Sequence, residues 1–202
     1  MMSPEDRVIG TIRLLDHLLE AALPAEEYVL VNSAWLALMG IRENGDLDIL
    51  ISRKLWRQWF PGHPTQKSFG IPGPYERKIR VHSMDEGPYG RLEGVADNDD
   101  VVYNHRVEIE GIPFVEPRLY FKYKLDRLAK STARARSIPW WRRNRFLAGP
   151  ERKTFLKRDK DARDFELIRR YFHAENERFG TVARISDAQW GKNDPSLSFL
   201  FP

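Results

Sequence analysis

VLVNSAWLALMGIRENGDLDILIS, Val29 to Ser52, holds a short apolar strand, a turn at Asn32–Ser33, a helix stopped by Gly40, and a second strand. Asp46 and Asp48 sit one residue apart in that second strand. Side chains alternate across a strand, so both carboxylates point one way while Leu47, Ile49 and Ile51 point the other. Like charges on one face repel, and burial raises the cost of each. A solvated strand edge would relieve the repulsion, but Leu50 continues the acidic face as an apolar residue. A divalent cation would relieve it too. Mg²⁺ prefers oxygen ligands and is commonly held by one or two carboxylates together with substrate phosphates.

The residues upstream suit the same chemistry. A strand ending at Val31, a tight turn at Asn32 and Ser33 and a helix starting there present a hydroxyl and backbone N–H groups to an anion. Thirteen positions after Ser33 the chain returns with Asp46 and Asp48. A phosphate cradle followed by a two-carboxylate metal site is what nucleotidyl transfer needs, because metal ions neutralise the triphosphate and align the attacking oxygen.

Around this stretch the chain alternates helix and strand. SPEDRVIGTIRLLDHLLEAAL reads as a first helix capped by Ser3, with Pro4 in its first turn, a stripe of Val8, Ile12, Leu15, Leu19 and Ala22, and a stop at Pro24. A helix follows around RKLWRQWF and a Pro/Gly-rich loop runs from Pro61 to Pro74. Arg77–Ser83 and His105–Val115 read as further strands, separated by a polar, loop-like DEGPYGRLEGVADNDD. From Arg118 the pattern is helical, in RLYFKYKLDRLAKSTARA and DKDARDFELIRRYFHAENERF. The expected fold class is α/β (α+β), a small mixed β-sheet flanked by helices. Residues 1–116 form the core, and 117–202 a helical C-terminal region completing the site.

Composition narrows the classes. No Cys is present, which excludes disulfides, thiolate metal sites and cysteine nucleophiles. No apolar run is long enough to span a bilayer and the N-terminus lacks a signal peptide's apolar core, so a cytoplasmic protein without a membrane partner is expected. The net charge of +4 favours an anionic partner.

Asn32-Ser33, then AWLALMGIREN, then GDLDI resembles the signature of the DNA polymerase beta-like nucleotidyltransferases, a Gly-Ser or Gly-Gly turn followed by Asp-x-Asp/Glu in a strand. The resemblance extends to the minimal branch of abortive-infection type toxins and antibiotic-modifying transferases. There KLDRL at Lys124–Leu128 and RDKDARD at Arg158–Asp164 look like the branch's two helical motifs. It spans residues 28–172, with specific matches in three short islands. It implies a polymerase beta-like core and transfer of an NMP from a nucleoside triphosphate to a small molecule or RNA, with Mg²⁺ or Mn²⁺ as cofactor. Asp46 and Asp48 would hold the metal, Asn32 and Ser33 the phosphate, and Lys124, Arg158, Asp161 and Asp164 would line the nucleotide.

Two positions depart from that pattern. Asn32 stands where glycine is usual, and Asn tolerates left-handed backbone well. The strand expected to carry a third acid has Arg80 and His82 instead, leaving Asp85, Glu108 or Glu110 to complete the site; Glu110, beside Gly111 at a strand end, is preferred.

Helical geometry sorts the C-terminal islands independently. At 100° per residue Asp161, Asp164, Phe165, Ile168 and Phe172 share one face, which suits either a helix start protruding from the core or a polar wall of the site. Lys124 shares a face with Tyr120, Phe121 and Leu128, whereas Lys122 lies with Asp126 on a solvated side. RARSIPWWRRNR, Arg134–Arg145, fits either a solvated loop or a surface that binds single-stranded nucleic acid. An inactive nucleotidyltransferase-fold protein that binds nucleic acid is the alternative function.

Overall fold

The sheet is built outward from the two strands of the opening stretch. In the computed structural model, residues 10–63, 69–71, 78–82, 89, 92–139, 149–174 and 184–202 are described. β1 (Tyr28–Val31) and β2 (Leu47–Ile51) pair antiparallel through an intervening helix, α2 (Ser33–Leu38). Every residue of the two strands is buried, the continuous apolar run of β1 and, in β2, the charged Asp48 as well. β4 (Ile79–His82) pairs parallel to β2, and β3 (Phe69–Gly70) antiparallel to β4. On the other side β6 (Ile112–Val115) pairs parallel to β1, and β5 (Arg106–Ile109) antiparallel to β6. The order is β3-β4-β2-β1-β6-β5, a mixed six-stranded sheet. The expected mixed α/β class with flanking helices stands.

Short helices surround the sheet: α1 (Leu15–Glu20), α3 (Arg53–Trp59) and α4 (Asn98–Asn104). The long pair is α5 (Pro117–Ser137) and α6 (Gly149–Ala174), and a short α7 (Asp187–Trp190) follows. One hydrophobic cluster takes residues from Ile12 to Leu200, so the helical C-terminal part shares its core with the sheet. Trp35 is fully buried, packs against Phe114, Tyr120 and Trp190, and donates from Nε1 to the Val115 carbonyl. That indole ties α2, β6, α5 and α7 together. The apolar tail NDPSLSFLFP packs on the core through Leu197 and Leu200.

Four local expectations are corrected. The first helix is broken at Leu14, whose φ is 73°; the break resets the phase, so Leu18 turns inward while Leu19 is 38% exposed. The expected Ser3 cap lies outside the described residues. His105–Val115 is a hairpin rather than one strand, because Glu110 and Gly111 both have positive φ and form a two-residue turn between Ile109 and Ile112. The polar stretch before it ends in α4, capped by Asp97, which accepts from the Asp100 N–H. The Pro61–Pro74 stretch contains β3.

Candidate active site

Asp46 and Asp48 lie at the end of the sheet where β1 stops and β2 starts. Val31 is the register partner of Asp48, so the turn at Asn32–Ser33 meets the acids directly. Asn32 takes a positive φ of 57° but with ψ at −116°, outside the left-handed helical region that asparagine tolerates best. Its Nδ2 donates to Asp48 Oδ2 at 3.0 Å. The Tyr89 phenol, fully buried, contacts both the Asn32 N–H at 3.4 Å and its Oδ1 at 3.5 Å. The Ser33 hydroxyl donates to the Asp46 carbonyl at 3.2 Å, and Asn44 Nδ2 donates to that carbonyl at 3.1 Å. Asn44 also exchanges hydrogen bonds with both backbone groups of Arg13. Ser33 therefore spends its hydroxyl on positioning the Asp46 backbone, not on presenting it to phosphate.

The like-charge problem posed by the two aspartates is solved by the neighbouring strand. Parallel register sets Arg80 opposite Asp48 and His82 opposite Leu50, all on one sheet face. Each base reaches diagonally to an acid. Arg80 Nη1 lies 3.0 Å from Asp46 Oδ2, and His82 Nε2 lies 2.9 Å from Asp48 Oδ1. Burial pushes the Asp48 carboxyl up, but His82, Asn32 and the charge of Arg80 outweigh it and hold the group below its ordinary value. Asp46 keeps a side-chain exposure of 35%, so it is the more accessible acid.

A second charged layer lies between α5 and α6. Asp164 accepts from Arg42 Nε at 3.0 Å and Nη2 at 3.2 Å, and from Lys124 Nζ at 3.1 Å. Asp161 pairs with Arg127 Nε at 3.0 Å, and Arg127 Nη1 approaches the Tyr123 hydroxyl at 3.4 Å. Both acids and Lys124 are buried. Burial, opposed by Asp164, leaves Lys124 below the usual lysine range; Asp164 is brought below its own range by Arg42 and Lys124 despite burial. The rings of Tyr123 and Tyr89 pack at 4.8 Å, which connects this layer to Asn32 and Asp48. Asn32 and Asp48 form one polar cluster and Lys124, Asp161 and Asp164 a second, and the packed rings of Tyr89 and Tyr123 lie between them.

Glu110 is part of neither. β5 and its turn are three strands from β2, about 14 Å across at ordinary strand spacing. The turn also precedes β6, which runs parallel to β1, so it lies at the end of the sheet away from Asn32. Glu108 is exposed on the same edge strand, and Asp85 lies outside the described residues. The expected strand end beside Gly111 is a hairpin tip. His82 is the titratable group that stands on the strand where a third acid was expected. Arg158 is corrected as well: it pairs with the adjacent Asp159 and lies over the Phe155 ring at 5.0 Å, one turn beyond Asp161. Lys122, expected on a solvated side with Asp126, pairs with Asp194 at 2.8 Å and is 20% exposed. Residues 140–145 of the Trp/Arg stretch lie outside the described residues.

Arg42, Asn44, Tyr89 and Arg127 went unrecognised as site residues. Arg127 had a signal, since it lies three positions after Lys124 on a helix. Arg42 and Asn44 come from the irregular segment between α2 and β2, and neither they nor Tyr89 belong to a periodic pattern in the sequence. Among the described residues no group of three or more His, Asp or Glu forms a metal cluster, and no helix is long and apolar enough to cross a membrane. No family model, curated protein or solved structure matches the chain.

Proposed function

We propose that this protein is a metal-dependent nucleotidyltransferase that moves an NMP from a nucleoside triphosphate to an acceptor hydroxyl or phosphate. The observation that carries the proposal is the meeting of Asp46, Asp48 and the Asn32–Ser33 turn at one end of the sheet, with the Lys124 and Arg127 layer reached across the packed rings of Tyr89 and Tyr123. Two carboxylates offer the hard oxygen donors that Mg²⁺ or Mn²⁺ prefers. Their chemistry fits such an ion, with Asp46 and Asp48 holding it and phosphate oxygens supplying further donors. When bound, it would neutralise the triphosphate and polarise the α-phosphorus.

The chain's own residues have separate tasks. Asn32, buttressed by Tyr89, fixes the orientation of the Asp48 carboxylate. Arg80, with half its side chain exposed, balances Asp46 and can swing to a phosphate, because a guanidinium binds carboxylate and phosphate by the same fork. His82, aligned by Asp48, accepts the acceptor's proton in place of the third acid. Arg42, Lys124 and Arg127 against Asp161 and Asp164 leave that wall with one surplus positive charge towards the triphosphate.

Calorimetry with each NTP in Mg²⁺ or Mn²⁺ tests the assignment. Binding should collapse in Asp46→Ala with Asp48→Ala; unchanged nucleotide affinity in that double variant refutes it. A second function is favoured by one observation, that Arg80 and His82 already occupy carboxylate oxygens of both acids. A protein with that pairing could bind nucleic acid and perform no chemistry, and its binding would need no divalent metal.

A further inference from the structure

α5 and α6 run antiparallel, because Phe121 meets Phe172, Lys124 meets Asp164 and Arg127 meets Asp161. Beyond the Arg127–Asp161 pair both helices continue. At 1.5 Å per residue α5 extends by about 15 Å to Ser137 and α6 by about 18 Å back to Gly149. Residues 128–137 and 149–160 carry eight Lys or Arg against two acids, whereas the whole chain has a surplus of only four positive charges. The positive charge of this protein is therefore concentrated on one helical projection. Most of these cations are exposed, including Lys130, Arg134, Lys153 and Lys157.

Like charges face each other across the two helices. Partial desolvation, then the charges of Arg127 and Arg134, hold the Lys157 ammonium below the usual lysine range, with Asp161 opposing them. Gathering cations this closely costs free energy that a polyanion laid along the projection would recover, with release of its condensed counterions. A membrane surface fits less well. Leu156, 59% exposed, is the one large apolar side chain exposed among the described residues of the projection, and an interfacial helix needs a whole apolar face.

We infer that the paired ends of α5 and α6 form an RNA-binding surface, which makes RNA the acceptor class of the proposed transferase. The inference rests on the transferase assignment only for the word acceptor. Binding itself depends on the projection, whose inner end carries the Arg127–Asp161 pair beside the candidate site.

The test is fluorescence anisotropy with a labelled 20-nucleotide single-stranded RNA, titrated at several salt concentrations. Arg134→Gln, Lys153→Gln and Lys157→Gln together remove three phosphate contacts. At a slope of about −0.7 per contact, the log–log salt dependence should flatten by about two, and affinity at 0.15 M salt should fall on the order of fiftyfold. Arg169→Gln with Arg170→Gln, elsewhere on α6 and paired with Glu166, should change neither. Circular dichroism confirms that the helices persist in each variant. An unchanged slope in the triple variant, an equal loss in the Arg169/Arg170 control, or binding only to vesicles containing phosphatidylserine overturns the inference. RNA binding that responds to the triple variant, together with no metal-dependent NTP binding, refutes the transferase and leaves the surface standing.

Discussion

Removing the Asp164 carboxylate should be among the most damaging single changes on α6. In Asp164→Ala, Arg42 loses a bidentate partner and Lys124 loses its carboxylate. The two cations respond differently. Arg42 keeps 30% of its side chain exposed and rehydrates, whereas the Lys124 side chain is 5% exposed and beside Arg127. Most of the cost therefore comes from a buried ammonium without a counter-charge, about 3–5 kcal/mol. At the size of this chain 3 kcal/mol corresponds to a fall in Tm of roughly 6–12 °C. Chemical denaturation should show a lower midpoint with an unchanged slope. Adding Lys124→Met should restore most of the loss, since both buried charges then disappear while the apolar stem is kept. The pH dependence supplies a second readout. Asp164 is held below the ordinary carboxylate value, so its stabilisation is complete above that value and lost as pH falls through the lower, folded one. The variant should lack that acid-side loss. A single-variant cost under about 1 kcal/mol, or no recovery in the double variant, would show that the ammonium is solvated and the reasoning wrong.

Two further outcomes follow from the fold. Glu110→Asn should raise stability by a few tenths of a kcal/mol in chemical denaturation, because Asn is better suited to the φ of 52° in a two-residue hairpin turn, and it should leave nucleotide binding unchanged. A loss of nucleotide binding in that variant would return Glu110 to the site. At the far end of β1, buried Glu27 accepts hydrogen bonds from Ser52, Lys54 and Tyr103, which together bring its carboxyl below the ordinary range although burial acts the other way. Its stabilisation should therefore fade as pH drops through the folded value; Glu27→Gln should cost about 1–3 kcal/mol at pH 7 and flatten the acid limb of Tm against pH.

The alternation of sequence by itself determined the strand cores and the side on which Asp46 and Asp48 project. Helical spacing placed Lys124 on the face of Tyr120 and Phe121 and set Asp161 and Asp164 on the face of Phe165 and Ile168, and their burial decides that this face turns inward. KIRVHS even carried the answer to the aspartate pair, since Arg80 and His82 alternate at the same period as Asp46 and Asp48. Register was what remained hidden. Only the parallel pairing of β4 with β2 decides that these two bases meet those two acids, because strand neighbours are chosen by nonlocal packing and not by period. The same applies to Glu110. Its left-handed backbone and the adjacent Gly111 suit both a site-opening break and a hairpin tip, and the distinction lies in β6 folding back beside β1. Arg42, Asn44 and Tyr89 depended wholly on tertiary structure. Arg42 and Asn44 lie in an irregular segment between α2 and β2, where each contact is set by the elements at either end, and Tyr89 likewise meets Asn32 across 57 residues of chain with no repeat to mark it.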